Sequence, residues 1–215
     1  MNTVSVSELR QWCRNEMHEA ADLLGRGMCQ NPVNIRAFGM ADAERRRRAL
    51  KRFFLPVLHR LCSRGVVLGA FSKPALVGVC ALARPGFCQP AWFEKLKVLP
   101  AVVLHNPLGT PLRVLRWTGA WASRDPVAPH WHLGPVAVAP EVQGRGIGGI
   151  MLEEVCARLD AYCMPSYLET DKRENVSFYQ KFGFAVTGEA DVLGIRTWFM
   201  SRPRRTTAIA PEHRP

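Results

Sequence analysis

The chain has 215 residues, a formal net charge of +11 and a hydrophobic fraction of 47%. This composition is typical of a soluble globular protein, and no apolar run reaches the length of a membrane span. The length is sufficient for one full-sized core. We therefore expect a single domain over residues 1–200, followed by a mobile basic tail, 201–215.

The positive charge is concentrated at residues 45–48 and in the basic tail. A solvated helix face plus a tail accounts for both clusters, and attraction of a polyanion or an acidic partner is the alternative. Neither cluster has interleaved aromatic residues, so nucleic-acid binding is not expected. The seven cysteines include no C-x-x-C pair, which argues against a disulfide framework or a zinc site. Because the chain also starts without a signal-peptide pattern, a cytoplasmic protein is expected.

The first part of the chain predicts a strand and two helices. Residues 3–9 alternate weakly between apolar and polar side chains, which favours an edge strand. Apolar residues at helical spacing predict a helix over 16–29, capped by Asn15, and a second helix over 43–63, capped by Asp42. The basic cluster at 45–48 lies on this second helix.

Pro56 lies inside the second helix and should kink it or split it in two. Two apolar strands, 65–71 and 76–82, follow and are joined by a short turn, which predicts a hairpin. Gly78 in the latter strand indicates a closely packed neighbour.

Two further helices are predicted over 91–103 and 110–123, as an insert between the third and fourth strands. They carry Trp92, Trp117 and Trp121. Tryptophans in such helices usually belong to the core, and the alternative is that at least one of them lines a ligand pocket.

A strand, a glycine-rich loop and a helix follow one another from His132 onward. Residues 133–138 are short, apolar and β-branched, residues 140–149 contain four glycines, and helical spacing begins at Ile147. The first N–H groups of a helix lack internal partners, and the helix dipole makes that end positive. This arrangement therefore predicts an anion site.

The sequence of the loop distinguishes between the known anion-binding loop motifs. It matches neither the dinucleotide fingerprint nor the phosphate loop, but it fits Q/R-x-x-G-x-G/A. This motif is carried by Gln143, Gly144, Arg145, Gly146, Ile147 and Gly148. Asn175, Tyr179 and the triplet at 182–184 then give N-x-x-x-Y followed by G-F. In these motifs the chain resembles the GNAT superfamily of N-acetyltransferases. The L-E-T at 168–170 and the W-F-M at 198–200 are similar to the branch that includes the puromycin acetyltransferases.

The resemblance implies an α/β GNAT fold, with a mixed central sheet of about six to seven strands, helices on both faces and a splayed parallel pair of central strands. Residues 2–129 would form the acceptor side and residues 130–200 the coenzyme-binding core. The segment 31–40, with Phe38, would border the acceptor pocket. The last strands, 185–188 and 195–200, would form a hairpin over the acceptor site.

Acetyl-CoA is the co-substrate that the resemblance implies, with no metal. N–H groups from Gly144 to Gly149 would hold its diphosphate, because glycine lets the backbone approach closely. Arg145 would add charge there or point to solvent. Asn175 would contact the pantetheine or cap its helix. The backbone that pairs with the pantetheine arm would be that of Val136, Ala137 and Val138.

Acetyl transfer to an amine needs a proton donor for the departing thiolate and a route for the amine proton. Tyr179 lies where the family places the acid, and a packing tyrosine is the alternative. Glu169 ends the fifth strand and is a base or amine anchor, unless it forms a salt bridge or a cap. His130 and His132 lie on one face of their strand and have a suitable pKa for a base, although structural roles are also open. No third ligand is evident near this pair, so a metal site is not expected.

The sequence thus predicts acetyl-CoA-dependent transfer of an acetyl group to a primary amine of a small, antibiotic- or metabolite-like molecule, by direct attack in a ternary complex. The alternatives are a protein N-acetyltransferase and a non-catalytic coenzyme A-binding module. A homodimer is left open, since dimers are common in this superfamily.

Overall fold

The structure is a computed structural model that describes residues 6–11 and 17–204. Its strands are β1 (Glu8–Gln11), β2 (Gly65–Ser72), β3 (Ala75–Ala83), β4 (Trp131–Val138), β5 (Ser166–Thr170), β6 (Ala185–Val192) and β7 (Ile195–Arg202). Its α-helices are α1 (Met17–Met28), α2 (Pro32–Phe38), α3 (Ala43–Arg64), α4 (Trp92–Val103), α5 (Thr110–Ala122), α6 (Ile147–Ala161) and α7 (Arg173–Gln180). A 3₁₀ turn at Pro140–Val142 lies between β4 and α6.

The strands form one seven-stranded sheet in the order β1-β2-β3-β4-β5-β7-β6. Among the strands of residues 6–11 and 17–204, only β4 and β5 run parallel, and they pair at two positions, Trp131 with Ser166 and His132 with Tyr167. Beyond His132 the two strands diverge and leave an opening in the middle of the sheet. The predicted mixed sheet with a splayed parallel pair is therefore confirmed.

Helices cover both faces of the sheet. Alternate residues of β2 point to opposite sides, so Val66 and Leu68 pack with α6 while Val67 and Phe71 pack with α1, α2 and α3. Gly78 on β3 lies so close to α6 that a Cβ there would be 2.6 Å from the Met151 sulfur. The close neighbour predicted at this glycine is confirmed.

The helices α1 and α3 occupy the predicted positions. Asp42 caps α3, since its carboxylate accepts the backbone N–H of Arg45 at 2.7 Å. The predicted split at Pro56 is wrong, because α3 continues through it as one helix. The proposed cap Asn15 and residues 3–5 of the predicted edge strand lie outside the described residues. The strand observed there, β1, is shifted along the chain and shares only residues 8 and 9 with the predicted range of 3–9.

Two basic side chains are buried rather than solvated. Arg46 is 3% exposed. It donates to the carbonyls of Cys29 and Met40, and to the Gln30 side chain at 3.2 Å, so the 45–48 cluster is not simply a solvated face. Arg202 is 2% exposed and belongs to β7. It donates to both carboxylate oxygens of Asp160, at 2.7 and 2.8 Å, so placing the start of a mobile tail at residue 201 was wrong.

Candidate active site

The glycine loop joins the end of β4 to the start of α6. Gly144 and Gly146 adopt φ of 76° and 82°, which favours glycine, and a Cβ on either would meet nothing within 4 Å. The first helical bond of α6 runs from the Ile150 N–H to the Gly146 carbonyl, at 3.1 Å. The N–H groups of the preceding turn therefore lack an i−4 partner within the helix and mark an anion site.

A cavity of about 500 Å³ lies along this loop, between β4, the end of α1 and α7. Almost every residue predicted to bind the coenzyme lines it: Val136, Ala137, Val138, Gln143, Gly144, Gly146, Ile147, Gly148, Gly149, Asn175 and Tyr179. Arg145 is exposed and is not among the residues that line this cavity. The Gln143 side chain donates to the Val138 carbonyl at 3.0 Å and so ties the loop to the strand.

Lys172 and Lys181 also line this cavity, and the sequence interpretation missed them. They flank α7, the helix of the N-x-x-x-Y motif, and that position was the available signal. With the glycine backbone they add positive charge to the groove. Backbone donors, space beside the glycines and two ammonium groups suit a polyanionic coenzyme with a diphosphate.

A second, larger cavity of about 1170 Å³ lies between α3, the α4–α5 insert and the divergent strands β4 and β5. Trp117 and Trp121 line it and pack against each other edge to face, whereas Trp92 is 74% exposed. Its other apolar walls come from Phe53, Phe54, Val57, Leu61, Val98, Val102, Val114 and Leu115.

Two parts of the predicted acceptor side do not line this cavity. No residue of β6 or β7 lines the large cavity, so the hairpin does not cover it; the α4–α5 insert does. Phe38 is fully buried and packs edge to face on Phe53, with ring centroids 5.8 Å apart. The segment around it does reach the cavity, through Asn31 and Asn34.

The two cavities meet at Tyr179. This side chain lines both of them, as Asn175, Val136 and Met28 do. Burial, with the Cys80 thiol nearby, raises the pKa of the Tyr179 hydroxyl above its usual value. The capping role considered for Asn175 is wrong, because α7 begins after Lys172 and the Asn175 amide donates to Thr170 Oγ1 at 3.1 Å.

Glu169 and His132 lie side by side in the large cavity. His132 Nε2 is 3.0 Å from Glu169 Oε2, and the Glu169 side chain is 3% exposed. The other carboxylate oxygen, Oε1, is buried without a hydrogen-bond partner among the described residues. Burial alone would lower the pKa of His132, but the Glu169 and Asp125 carboxylates outweigh it and hold this pKa well above its usual range.

His130 immediately precedes β4 and lies beside His132 on the predicted common side, with the two ring centroids 6.4 Å apart and both rings in contact with Asp125. Asp125 Oδ1 is 3.0 Å from His130 Nε2 and 3.3 Å from His132 Nδ1. Burial alone would lower the pKa of His130, but Asp125 and Cys88 together raise it to about 10. Burial would raise the pKa of Asp125, but its hydrogen bonds with both histidines leave it well below the usual value.

Cys88 completes this cluster, and its donor atom and those of Asp125, His130 and His132 all lie within 4.8 Å of one another. The expectation that the histidine pair has no further ligand nearby is therefore wrong. Cys88 and Asp125 were missed because they lie in loops on either side of the α4–α5 insert, so no short spacing reveals them.

Comparison with known proteins finds similarity to acetyltransferases. Residues 112–186 match the model of the acetyltransferase (GNAT) domain. Among solved structures, a histone acetyltransferase HPA2 and related acetyltransferase from Corynebacterium glutamicum is 18% identical, with a TM-score of 0.65 over 94% of this chain and 98% of that one. PaiA N-acetyltransferase from Thermoplasma acidophilum, solved with coenzyme A, is 16% identical, with a TM-score of 0.55 over 91% and 98%. An agmatine N-acetyltransferase is 15% identical, with a TM-score of 0.64 over 90% and 97%.

Residues 112–186 are thus similar to a GNAT acetyltransferase domain, and the chain has the GNAT fold. In the described part of the chain, no helix is both long and apolar enough to cross a membrane.

Proposed function

We propose that this protein transfers an acetyl group from acetyl-CoA to a primary amine on a small molecule, by direct attack in a ternary complex. The position of Tyr179 carries the proposal, because its side chain lies where the glycine-loop groove meets the cavity that contains Glu169. A donor bound in the groove and an acceptor bound in the cavity would meet at this residue. Holding two reactants in line can supply about 7–11 kcal/mol of the barrier.

Acetyl-CoA would supply the acetyl thioester. The N–H groups from Gly144 to Gly149 would hold its diphosphate, with Lys172 and Lys181 beside them. The backbone of Val136, Ala137 and Val138 would pair with the pantetheine arm. On its far side this segment pairs with β3, while the side facing β5 has lost its strand partner beyond His132.

Glu169 would receive the amine proton. An amine with a pKa of about 10.4 is mostly charged at pH 7, and neutralising it costs about 4–5 kcal/mol. Glu169 lines the cavity, and its Oε1 is buried without a hydrogen-bond partner among the described residues, while His132 contacts Oε2. Glu169 would take the ammonium proton before attack, because a charged amine has no lone pair. As the C–N bond then forms and the C–S bond breaks, the second proton that the nitrogen loses balances the one that the sulfur takes up.

Tyr179 would protonate the departing sulfur. A thiol with a pKa of about 8.5 leaves as a thiolate that can take a proton from a tyrosine of pKa about 10 or higher. The raised pKa of Tyr179 keeps its proton in place at neutral pH until the thiolate forms.

The large cavity supports a small-molecule acceptor with an apolar body. Its volume of about 1170 Å³ and its walls of phenylalanine, tryptophan and aliphatic side chains suit a molecule with several rings or a long apolar group. Glu169 and Asp171 supply negative charge for an ammonium group at its inner end.

The puromycin acetyltransferase branch remains our finer proposal, on sequence grounds. Its two marker segments are neighbours in the sheet, since Thr170 pairs with Trp198 and Leu168 with Met200. We further propose that the chain up to the end of β7 acts as one domain in the cytoplasm. One hydrophobic core joins α1 and α3 to β4, and the six cysteines that the structure describes are thiols.

Thiol release in the presence of acetyl-CoA and a panel of acceptors tests the proposal. The panel contains apolar amines, polar amines and peptides with an unblocked terminus or lysine. We expect rapid release with an apolar amine only. Release only with peptides would favour protein acetylation. Coenzyme A binding with no release above slow hydrolysis would favour a non-catalytic binding module, and no coenzyme A binding at all would overturn both.

A further inference from the structure

We propose that Cys88, Asp125, His130 and His132 bind a zinc ion. Their donor atoms lie within 4.8 Å of one another, and the cluster is mostly shielded from solvent, with His130 5% exposed. Thiolate, imidazole and carboxylate are the ligands that zinc takes in proteins, usually as a tetrahedral set of four.

The two histidine rings are already oriented as zinc ligands. His130 Nε2 and His132 Nδ1 converge on the same oxygen of Asp125, at 3.0 and 3.3 Å. The opposite nitrogens face acceptors of their own. His130 Nδ1 is 2.8 Å from the Ala128 carbonyl, and His132 Nε2 is 3.0 Å from Glu169 Oε2.

Metal-bound histidines usually donate their second N–H to a carboxylate or a backbone carbonyl, which fixes the ring and its tautomer. The Ala128 carbonyl and the Glu169 carboxylate fill these two roles here. With zinc bound, each ring carries one proton, and each proton already has its acceptor.

The distances require only a small adjustment. Zinc bonds of about 2.0–2.3 Å in a tetrahedron put donor atoms roughly 3.3–3.8 Å apart. The His130–Asp125 distance of 3.0 Å is slightly shorter than this, and the His132–Asp125 distance of 3.3 Å is at its lower end. All separations in the set are within 4.8 Å, so none would need to shorten by more than about 1.5 Å. Cys88 lies in a loop, where its sulfur contacts the carbonyls of Arg84 and His130 at 3.8 and 3.5 Å.

A bound zinc would fix the wall of the acceptor cavity. Cys88 precedes α4 and Asp125 follows α5, so the metal would tie both ends of the α4–α5 insert to β4. Through His132 it would also hold Glu169.

The full chain, purified without a metal-affinity tag, is stripped with a chelator, loaded with zinc and freed of excess ion. Elemental analysis should then find one zinc per chain. Loading with cobalt(II) instead should give the intense visible bands of a four-coordinate ion and a thiolate charge-transfer band in the near ultraviolet.

Cys88→Ser should remove the thiolate band, whereas Cys163→Ser, at an exposed cysteine, should keep it. Glu169→Gln should weaken zinc binding about 10–100-fold, as expected for a residue that orients a ligand. A wild-type chain that stays metal-free after loading would overturn the proposal, as would an unchanged cobalt spectrum in Cys88→Ser.

If a variant fails to fold, the zinc content per chain and the cobalt(II) spectrum of the wild type still test whether the metal binds. None of these readouts uses acetyl-CoA. A chain that binds zinc without acetylating amines, or the reverse, therefore separates this proposal from the function proposed above.

Discussion

Glu169 and His132 form a buried pair in which one carboxylate oxygen is held by the imidazole and the other has no partner among the described residues. This asymmetry suits a base, because the held oxygen fixes the orientation and the other can receive a proton. The pair lies in the cavity that Tyr179 connects to the glycine-loop groove.

Glu169→Gln tests the proposed base. The amide keeps the shape but cannot take the amine proton, so we expect kcat to fall by about 10²–10⁴-fold with little change in the affinity for acetyl-CoA. Glu189→Gln is the matched control, at a partly exposed glutamate on β6 that pairs with Arg196. Steady-state kinetics measure both. Equal rates in the two variants would remove Glu169 from the mechanism.

Tyr179→Phe tests the proposed acid. Loss of the hydroxyl should lower kcat about 10²-fold or more, because the thiolate then leaves without a proton donor. Coenzyme A affinity, measured by calorimetry, should change far less. The control is Tyr162→Phe, since Tyr162 stacks on Trp131, away from both cavities. A Tyr179→Phe variant with wild-type kcat would exclude the acid role.

The pH dependence of kcat follows from the raised pKa of Tyr179. A raised pKa means that the proton stays on at pH values where an ordinary tyrosine begins to lose it. The acid form should therefore persist through about pH 10, and kcat should not decline between about pH 8 and 10 because of this group. An alkaline decline in that range that disappears in Tyr179→Phe would contradict the prediction.

Gly149→Ala separates stability from coenzyme binding. Gly149 is in the first turn of α6 and a Cβ there meets nothing within 4 Å, so alanine should stabilise the fold by up to about 1 kcal/mol. If that space belongs to the diphosphate, coenzyme A should bind about tenfold more weakly, or about 1.4 kcal/mol. Gly119→Ala is the control: this glycine of α5 also has open space at its Cβ but lies outside the groove. Equal coenzyme A affinity in both variants would place the diphosphate elsewhere.

Asp160→Ala should destabilise the fold strongly. It would leave the Arg202 guanidinium, which is 2% exposed, without its carboxylate partner. Removing one member of a buried ion pair costs about 3–5 kcal/mol, and Asp160 is partly exposed, so we expect about 3 kcal/mol in urea unfolding. Glu189→Ala, which breaks the more exposed pair with Arg196, should cost about 0–1 kcal/mol. Similar losses of unfolding free energy in both variants would show that the burial of Arg202 does not increase the contribution of its ion pair to stability.

The glycine-loop groove could be predicted from the sequence because it depends on local features. A glycine at positive φ, a strand end and a helix start are all encoded within a few residues, as at Gly146. The face shared by His130 and His132 also followed from strand periodicity.

The acceptor side could not be predicted, because it is built from distant segments. Cys88 and Asp125 meet only after the α4–α5 insert folds back on β4. Charge patterns also failed to show which arginines are buried: Arg202 was assigned to a tail because its partner, Asp160, lies far away on α6.

Arg46 is a buried side chain within a run of basic residues, and it helps to position the chain beside both cavities. Its guanidinium donates hydrogen bonds to the Cys29 and Met40 carbonyls and to the Gln30 side chain. The chain next to these residues includes Met28 and Asn31, which border both cavities. A change at this one arginine would therefore disturb the recognition of both substrates together, although it lies within a stretch that looks like ordinary solvent-facing sequence.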